Sequence, residues 1–159
     1  MPGTDLAADL TLYRRHHPTI MAEHTRLLPG ASDVLRTLHS AGKKIALCSN
    51  KPRVFSSELL AHLQIAELFH AVIGPEDVPR PKPAPDMILA ALKRLDMAPA
   101  RVLYIGDMVV DIETARAAGV TVWIVPTGSD TLETLTAGKP DRLLGTLGEL
   151  LTADLERPD

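Results

Sequence analysis

Arg101-Val102-Leu103-Tyr104-Ile105-Gly106-Asp107-Met108-Val109-Val110-Asp111-Ile112-Glu113-Thr114-Ala115-Arg116-Ala117-Ala118-Gly119-Val120-Thr121-Val122-Trp123-Ile124-Val125 is the stretch whose reading decides the fold. Val102 to Ile105 is an apolar run too short for a buried helix and rich in β-branched and aromatic residues, which predicts a core strand. Gly106 ends it. A helix starting near Met108 then brings Asp107 and Asp111 together at the strand tip and first helical turn, where two carboxylates can share a cation. The alternative is structural: an aspartate after a strand is a common helix cap, and the helix dipole favours an acid in the first turn. Ala115, Ala117 and Ala118 continue the helix, Gly119 stops it, and Val120 to Val125 supplies the next strand. The unit is βαβ, with its acidic pair at the carboxyl end of a strand, where open α/β sheets place ligands.

The same pattern repeats upstream. Lys43 and Lys44 precede the apolar run Ile45 to Cys48, a strand that delivers the hydroxyl of Ser49 to its carboxyl end in Ser49-Asn50-Lys51-Pro52. A helix is expected over residues 53–63 with Leu59, Leu60 and Leu63 inward, then a small strand at 71–74. The following loop holds Arg80-Pro81-Lys82-Pro83. Prolines fix φ and restrain the residue before them, so Lys82 is carried on a stiff support; the alternative is a solvated lysine that keeps a loop soluble. A further helix spans 85–97 with Met87, Ile88, Ala91, Leu92 and Leu95 on one face. Ahead of all this, Leu6, Leu10, Tyr13, His17 and Met21 recur at near-helical spacing, and Val34, Leu35 and Leu38 mark a short amphipathic helix closed by Gly42. Beyond the central unit lie a polar turn with Gly128, a weak helix at 132–137, a strand at 142–144 and a last helix at 147–155.

Composition bounds the rest. A chain of 159 residues has the length of one domain, enough to bury roughly 70% of its unfolded surface. Its net charge of −3 and few aromatics leave no basic footprint for nucleic acid, and no stretch is long and apolar enough for a membrane span. The amino terminus, Met-Pro-Gly-Thr-Asp-Leu, has neither the basic region nor the apolar core of a secretory signal. One cysteine, Cys48, cannot form an internal disulfide and is expected as a buried thiol in a reduced cytoplasm.

Ser49, Lys82, Asp107 and Asp111 all fall at or beyond strand carboxyl ends, which gathers a hydroxyl, a cation and a carboxylate pair on one edge of a parallel sheet. Phosphoryl transfer suits such a set: hydroxyl and lysine hold phosphate oxygens, and the acids hold a magnesium ion. At these residues the chain resembles the haloacid dehalogenase-like phosphatases, and within them the phosphoglycolate phosphatase group. Leu47-Cys48-Ser49-Asn50-Lys51-Pro52 is similar to that family's second motif and Pro81-Lys82-Pro83-Ala84-Pro85-Asp86 to its third. Gly106-Asp107 through Asp111-Ile112, continuing to Val120, is similar to its fourth. The resemblance implies a Rossmann-like three-layer α/β sandwich with a mostly parallel sheet. It further implies Ser49, Asn50 and Lys82 binding phosphate, Ser49 and Lys82 acting in catalysis, and Asp107 and Asp111 holding Mg2+. The substrate implied is a small phosphorylated metabolite. Met108 stands where the family frequently has a small polar residue.

One motif is missing. The family's first strand carries two aspartates one residue apart followed by Gly-Thr, the first the nucleophile and the second the general acid-base, and nothing here matches it. Asp5 and Asp9 precede no apolar strand. Leu6 to Pro29 instead resembles the end of the helical cap and its linker, so residues 1–28 are expected as a cap remnant and 29–159 as a core lacking its central first strand. In the family that strand lies between those ending at Ser49 and Asp107, so these two are expected either to pair directly or to face a slot that must be filled. A marginally stable, association-prone chain follows, with a homo-oligomer or a strand-donating partner as ways of filling the slot. The leading reading is a phosphatase lineage, inactive in this chain for want of its nucleophile. A non-catalytic phosphate- or metal-binding protein, or a strand-accepting module, is the second. A receiver-like or nucleotide-binding α/β module is the third, but it leaves Lys82 and Ser49-Asn50 without a role.

Overall fold

The structure, a computed structural model, describes residues 25–153. The expected helix over 6–25 lies almost entirely outside that range. The described chain alternates helix and strand: α1 (Ala31–Ser40), β1 (Ala46–Cys48), α2 (Arg53–His62), β2 (Ala71–Ile73), α3 (Asp86–Leu95), β3 (Leu103–Gly106), α4 (Val109–Ala117), β4 (Thr121–Ile124), α5 (Leu132–Ala137) and β5 (Arg142–Leu143). It is the α/β sandwich of parallel strands that the sequence predicts. The last predicted helix is instead a tighter 3-10 segment, Leu147–Leu151, in which Glu149 Oε1 accepts from the amides of Gly145 and Thr146. Its register comes from that carboxylate, not from a long apolar stripe.

The strands form two sheets. β1 pairs with β2 in parallel, Ala46 opposite Ala71 and Cys48 opposite Ile73. β3, β4 and β5 form the second parallel sheet, Leu103 opposite Thr121 and Trp123 opposite Arg142. β1 and β3, the two strands flanking the expected gap, do not pair, so direct closure of the gap is not what the chain does.

Shared helices hold the sheets together. On one face, α3 divides its apolar side: Met87, Ala91 and Leu95 pack on Ala46, Cys48, Ala71 and Ile73 of the first sheet. Ile88 and Leu92 pack with Ile112 and Ala115 of α4 and Val122 and Ile124 of β4 in the second. On the opposite face α1 does the same, Leu35 reaching the cluster of Leu60, Ile65, Leu68 and Leu47 while Val34 joins Trp123, Val125, Leu144 and Leu150. β4 therefore buries alternate residues against both layers, as its uninterrupted apolar sequence requires. In α2 Phe55, Ser56 and Leu60 are buried; of the other two predicted inward residues, Leu63, at the helix end, packs half-buried on the Leu60 cluster and Leu59 is half-buried.

Ile73 is wholly buried at the end of β2. Truncation there leaves a cavity between the sheet and α3, so Ile73→Ala is expected to cost about 2 to 5 kcal/mol in urea unfolding, whereas Leu132→Ala on the exposed face of α5 should change stability by less than about 0.5 kcal/mol.

Candidate functional site

Ser49 and Asp107 directly follow β1 and β3, Asp111 lies in the first turn of α4, and Lys82 is carried on the loop between β2 and α3. Ser49 continues the β1 ladder by donating its amide to the Ile73 carbonyl, and its Oγ accepts from the Lys51 amide at 3.1 Å. That turn leaves the hydroxyl hydrogen to donate outward. Asn50 is exposed, and its side-chain amide forms a reciprocal pair with the Lys82 backbone: Nδ2 donates to the Lys82 carbonyl at 3.2 Å and Oδ1 accepts from the Lys82 amide at 3.1 Å. The structure thus gives the Asn50 amide a positioning task, fastening the proline-flanked loop to the end of β1.

From that support Lys82 reaches across to the second sheet. Its Nζ lies 2.7 Å from Asp111 Oδ1, with only 12% and 5% of the two side chains exposed. The ammonium also stands 5.5 Å from the centroid of the Tyr104 ring. Asp111 is saturated with donors: Oδ1 also accepts from the Tyr104 hydroxyl at 3.2 Å, and Oδ2 accepts from the amides of Asp107 and Met108 at 3.0 and 3.1 Å. The structural alternative raised for this aspartate therefore describes one of its oxygens, which caps the start of α4. The other meets Lys82.

Gly106 makes this packing possible. A Cβ at that position would stand 2.3 Å from the Asp111 Cβ and 2.7 Å from its Oδ2, so only glycine lets the carboxylate fold back beneath the strand tip. Asp107 faces the loop after β4, where a Cβ on Gly128 would come within 2.6 Å of the Asp107 carbonyl and 3.0 Å of its Oδ2. The same loop is anchored by Asp130, whose Oδ2 accepts from the Val109 amide at 2.8 Å.

Electrostatics separate the two acids. Burial raises the pKa of Asp107, and the nearby Asp111 charge raises it further. Burial also opposes ionisation of Asp111, but the Lys82 charge and hydrogen bond, with the two backbone amides, outweigh it and hold the carboxyl below its ordinary value of 3.8. Burial and the Asp111 charge push Tyr104 strongly upward, keeping it a neutral donor. Cys48 is half-buried; its thiol points in toward the Met87 carbonyl at 3.5 Å and burial pushes it up to about 11.

Among the described residues no group of three or more His, Cys, Asp or Glu side chains is placed to hold a metal. Magnesium, however, is commonly bound through one or two carboxylates with water and phosphate oxygens completing its shell. Asp107, destabilised as an anion by burial and then by the Asp111 charge, offers the chemistry that a divalent cation relieves, so the pair of carboxylates fits such an ion.

Sequence reasoning did not single out Tyr104, Gly128 or Asp130 as functional. Tyr104 carried a signal, a hydroxyl inside an apolar strand that needs a buried partner. Gly128 and Asp130 carried none beyond a polar turn, since their contacts exist only once β4 lies beside β3.

Fold and site together define a parallel α/β protein with a polar, charge-paired site at its strand tips. Residues 3–125 match the haloacid dehalogenase-like hydrolases, and the chain belongs to that family. It is 36% identical over 142 residues to a phosphoglycolate phosphatase of Salmonella paratyphi A, covering 89% of this chain and 56% of that protein. Against the phosphoglycolate phosphatase of Escherichia coli K12 it is 35% identical over the same 142 residues, again covering 89% and 56%. The chain thus spans a little over half the length of these curated relatives. A solved structure assigned as a haloacid dehalogenase-like hydrolase of Bacteroides fragilis superposes with a TM-score of 0.78 at 35% identity, covering 94% of this chain and 73% of that one.

The ion pair generates a test. Asp111→Ala leaves the Lys82 ammonium buried without a carboxylate and is expected to cost about 3 to 5 kcal/mol at neutral pH. Because the Asp111 pKa is depressed in the folded state, its contribution is complete above the ordinary value of 3.8 and is lost as pH falls through the lower folded value. Asp107 has the opposite sign: its raised pKa makes ionisation costly to the fold as pH rises through that value, so Asp107→Asn should stabilise the metal-free protein at pH 7. Urea midpoints across pH 3 to 7 for the three proteins check both signs.

Proposed function

We propose that this chain belongs to a magnesium-dependent phosphomonoesterase lineage acting on a small phosphorylated metabolite of the 2-phosphoglycolate type, and that it keeps the phosphate- and metal-holding half of the site. The observation that carries the reading is the Lys82–Asp111 ion pair, formed at the strand tips beside Ser49 and Asp107. Similarity to phosphoglycolate phosphatases over most of this chain supports the substrate class.

In this reading the Ser49 hydroxyl donates to a phosphate oxygen. The Lys82 ammonium, already desolvated, supplies positive charge where a second oxygen develops negative charge. Asn50 lies beside the phosphate and, through its pair with the Lys82 backbone, keeps the lysine in place. Asp107 would hold the magnesium directly, with Asp111 as ligand or orienter. Magnesium, when bound, neutralises phosphate charge and orients the phosphoryl group. Asp130, by capping α4, and Gly128, by its closeness, fix the position of Asp107.

The sequence contains no Asp-x-Asp-Gly-Thr. Removing the nucleophile from a site that works as a unit costs on the order of a millionfold in rate. The chain as written is therefore read as binding without appreciable turnover. Residues 1–28 as cap remnant and linker, 29–159 as incomplete core, and a cytoplasmic setting consistent with the single thiol belong to the same proposal. Among the described residues no helix is long and apolar enough to cross a membrane.

Two measurements test this reading. Calorimetric titration with Mg2+ in the presence of inorganic phosphate is expected to show binding that weakens about tenfold or more in Asp107→Asn and in Lys82→Ala, one lost charge-assisted contact being worth that much. Release of phosphate from 2-phosphoglycolate should stay at background; turnover that Asp107→Asn abolishes would reveal a nucleophile and restore full enzyme status.

A further inference from the structure

The loop that carries Lys82 has little backbone with which to hold itself. Between the tight turn at Pro75–Asp77 and the start of α3 it runs through Pro81-Lys82-Pro83-Ala84-Pro85, and the three prolines have no N–H to donate. Two amides remain in that stretch. The Ala84 amide donates to the Pro81 carbonyl at 3.0 Å and closes a local turn, while the Lys82 amide donates to Asn50 Oδ1 at 3.1 Å. What holds the two ends of the stretch together is left to side chains.

Arg80 and Asp86 supply that contact. They stand immediately before and after the stretch, and the guanidinium meets the carboxylate as a fork: Nε donates to Oδ1 at 3.3 Å and Nη2 to Oδ2 at 2.9 Å. A bidentate pair of this kind fixes orientation as well as distance. Asp86 is itself well placed, with 14% of its side chain exposed and in the first turn of α3, where the helix dipole favours an acid. The Arg80 side chain is 70% exposed, so water screens the pair and it adds little to stability. Its consequence is geometric. The upstream part of the loop is fastened separately, Asp77 accepting from the Gly74 amide at 2.9 Å and standing 3.2 Å from the Arg53 guanidinium of α2.

We propose that Arg80 is a positioning residue for Lys82. Its fork with Asp86 closes the proline-rich stretch into a clasp, and the clasp, with Asn50 on the other side, sets where the lysine side chain leaves the backbone. That setting matters because the Lys82 ammonium must reach the second sheet, where it meets Asp111 Oδ1 at 2.7 Å. A lysine stem is flexible, so a loosened backbone would spread the ammonium over many positions. Arg80 acts through the loop and is not itself a catalytic residue. The placement of Lys82 rests on this geometry alone, and its bearing on phosphate rests on the function proposed above.

The test is Arg80→Gln in the full chain, which keeps a polar side chain and removes the fork. Hydrogen exchange at the Lys82 and Ala84 amides is expected to quicken about fivefold or more, and the nitrogen NMR signal of the Lys82 ammonium to broaden, while the Gly74 and Asp77 amides and the urea midpoint stay where they were. Asp86→Asn should do the same to Lys82 and Ala84, and the double variant should add nothing, because both residues act through one contact. Calorimetry with Mg2+ and inorganic phosphate is expected to show affinity about threefold or more weaker in Arg80→Gln, as ordering the lysine becomes part of binding. Unchanged exchange and an unchanged ammonium signal would overturn the proposal, as would additive effects in the double variant. A urea midpoint that falls in step with the exchange change would make the role merely structural and overturn it too, and so would phosphate affinity equal to that of the unaltered chain. An unaltered chain that binds no phosphate would sink the proposed function alone, and the exchange rates would still decide the placement of Lys82.

Discussion

The contact on which the arrangement depends is the buried ion pair between Lys82 and Asp111. Its two members come from different halves of the molecule: the lysine from the loop leaving the first sheet, the aspartate from the first turn of the helix leaving the second. A pair this buried gives up most of its hydration, and such pairs are stable only when the remaining lone pairs and protons are satisfied. Here they are. Asp111 accepts from Lys82, Tyr104 and two backbone amides, and Lys82 is held from behind by Asn50. Gly106 is the steric condition for all of this, because any side chain there would occupy the space of the Asp111 carboxylate.

Around that contact the fold solves an unusual packing problem. Among the described residues, two parallel sheets share covering helices but no strand pairing. α3 is the clearest case, since one helix face supplies Met87, Ala91 and Leu95 to one core and Ile88 and Leu92 to the other. Apolar burial is non-directional and tolerates a seam, whereas backbone hydrogen bonding does not. Both strands beside the seam are uniformly half-buried. Direct pairing of β1 and β3, one expectation from the sequence, would have drawn the strands within about 4.8 Å of each other and compressed the helices packed on them.

The chain belongs to the haloacid dehalogenase-like hydrolases, and the geometry distinguishes the polar residues at its strand tips. Lys82 presents its ammonium to Asp111, and Asp111 gathers the Tyr104 hydroxyl and the amides of Asp107 and Met108 around its two oxygens. The two aspartates look equivalent as a sequence pair. They differ in the fold because burial penalises both, but at Asp111 the Lys82 charge and the backbone amides outweigh it, whereas at Asp107 the Asp111 charge adds to it.

The sequence by itself determined the alternation of helices and strands from α1 to β5 and the parallel α/β class, and it put Ser49, Lys82, Asp107 and Asp111 at or beyond strand ends. These follow from local signals: short β-branched runs, Gly and Pro punctuation, and polar residues that begin where apolar runs stop. Only the tertiary structure decided which aspartate pairs with the lysine, that Asn50 holds the loop carrying Lys82, that Tyr104 and Asp130 support the site, and that the sheet is split. The reason is physical. Each depends on contacts between residues far apart in the chain, whose distances are fixed by how shared helices settle on two sheets, and no periodicity along the sequence encodes that settling.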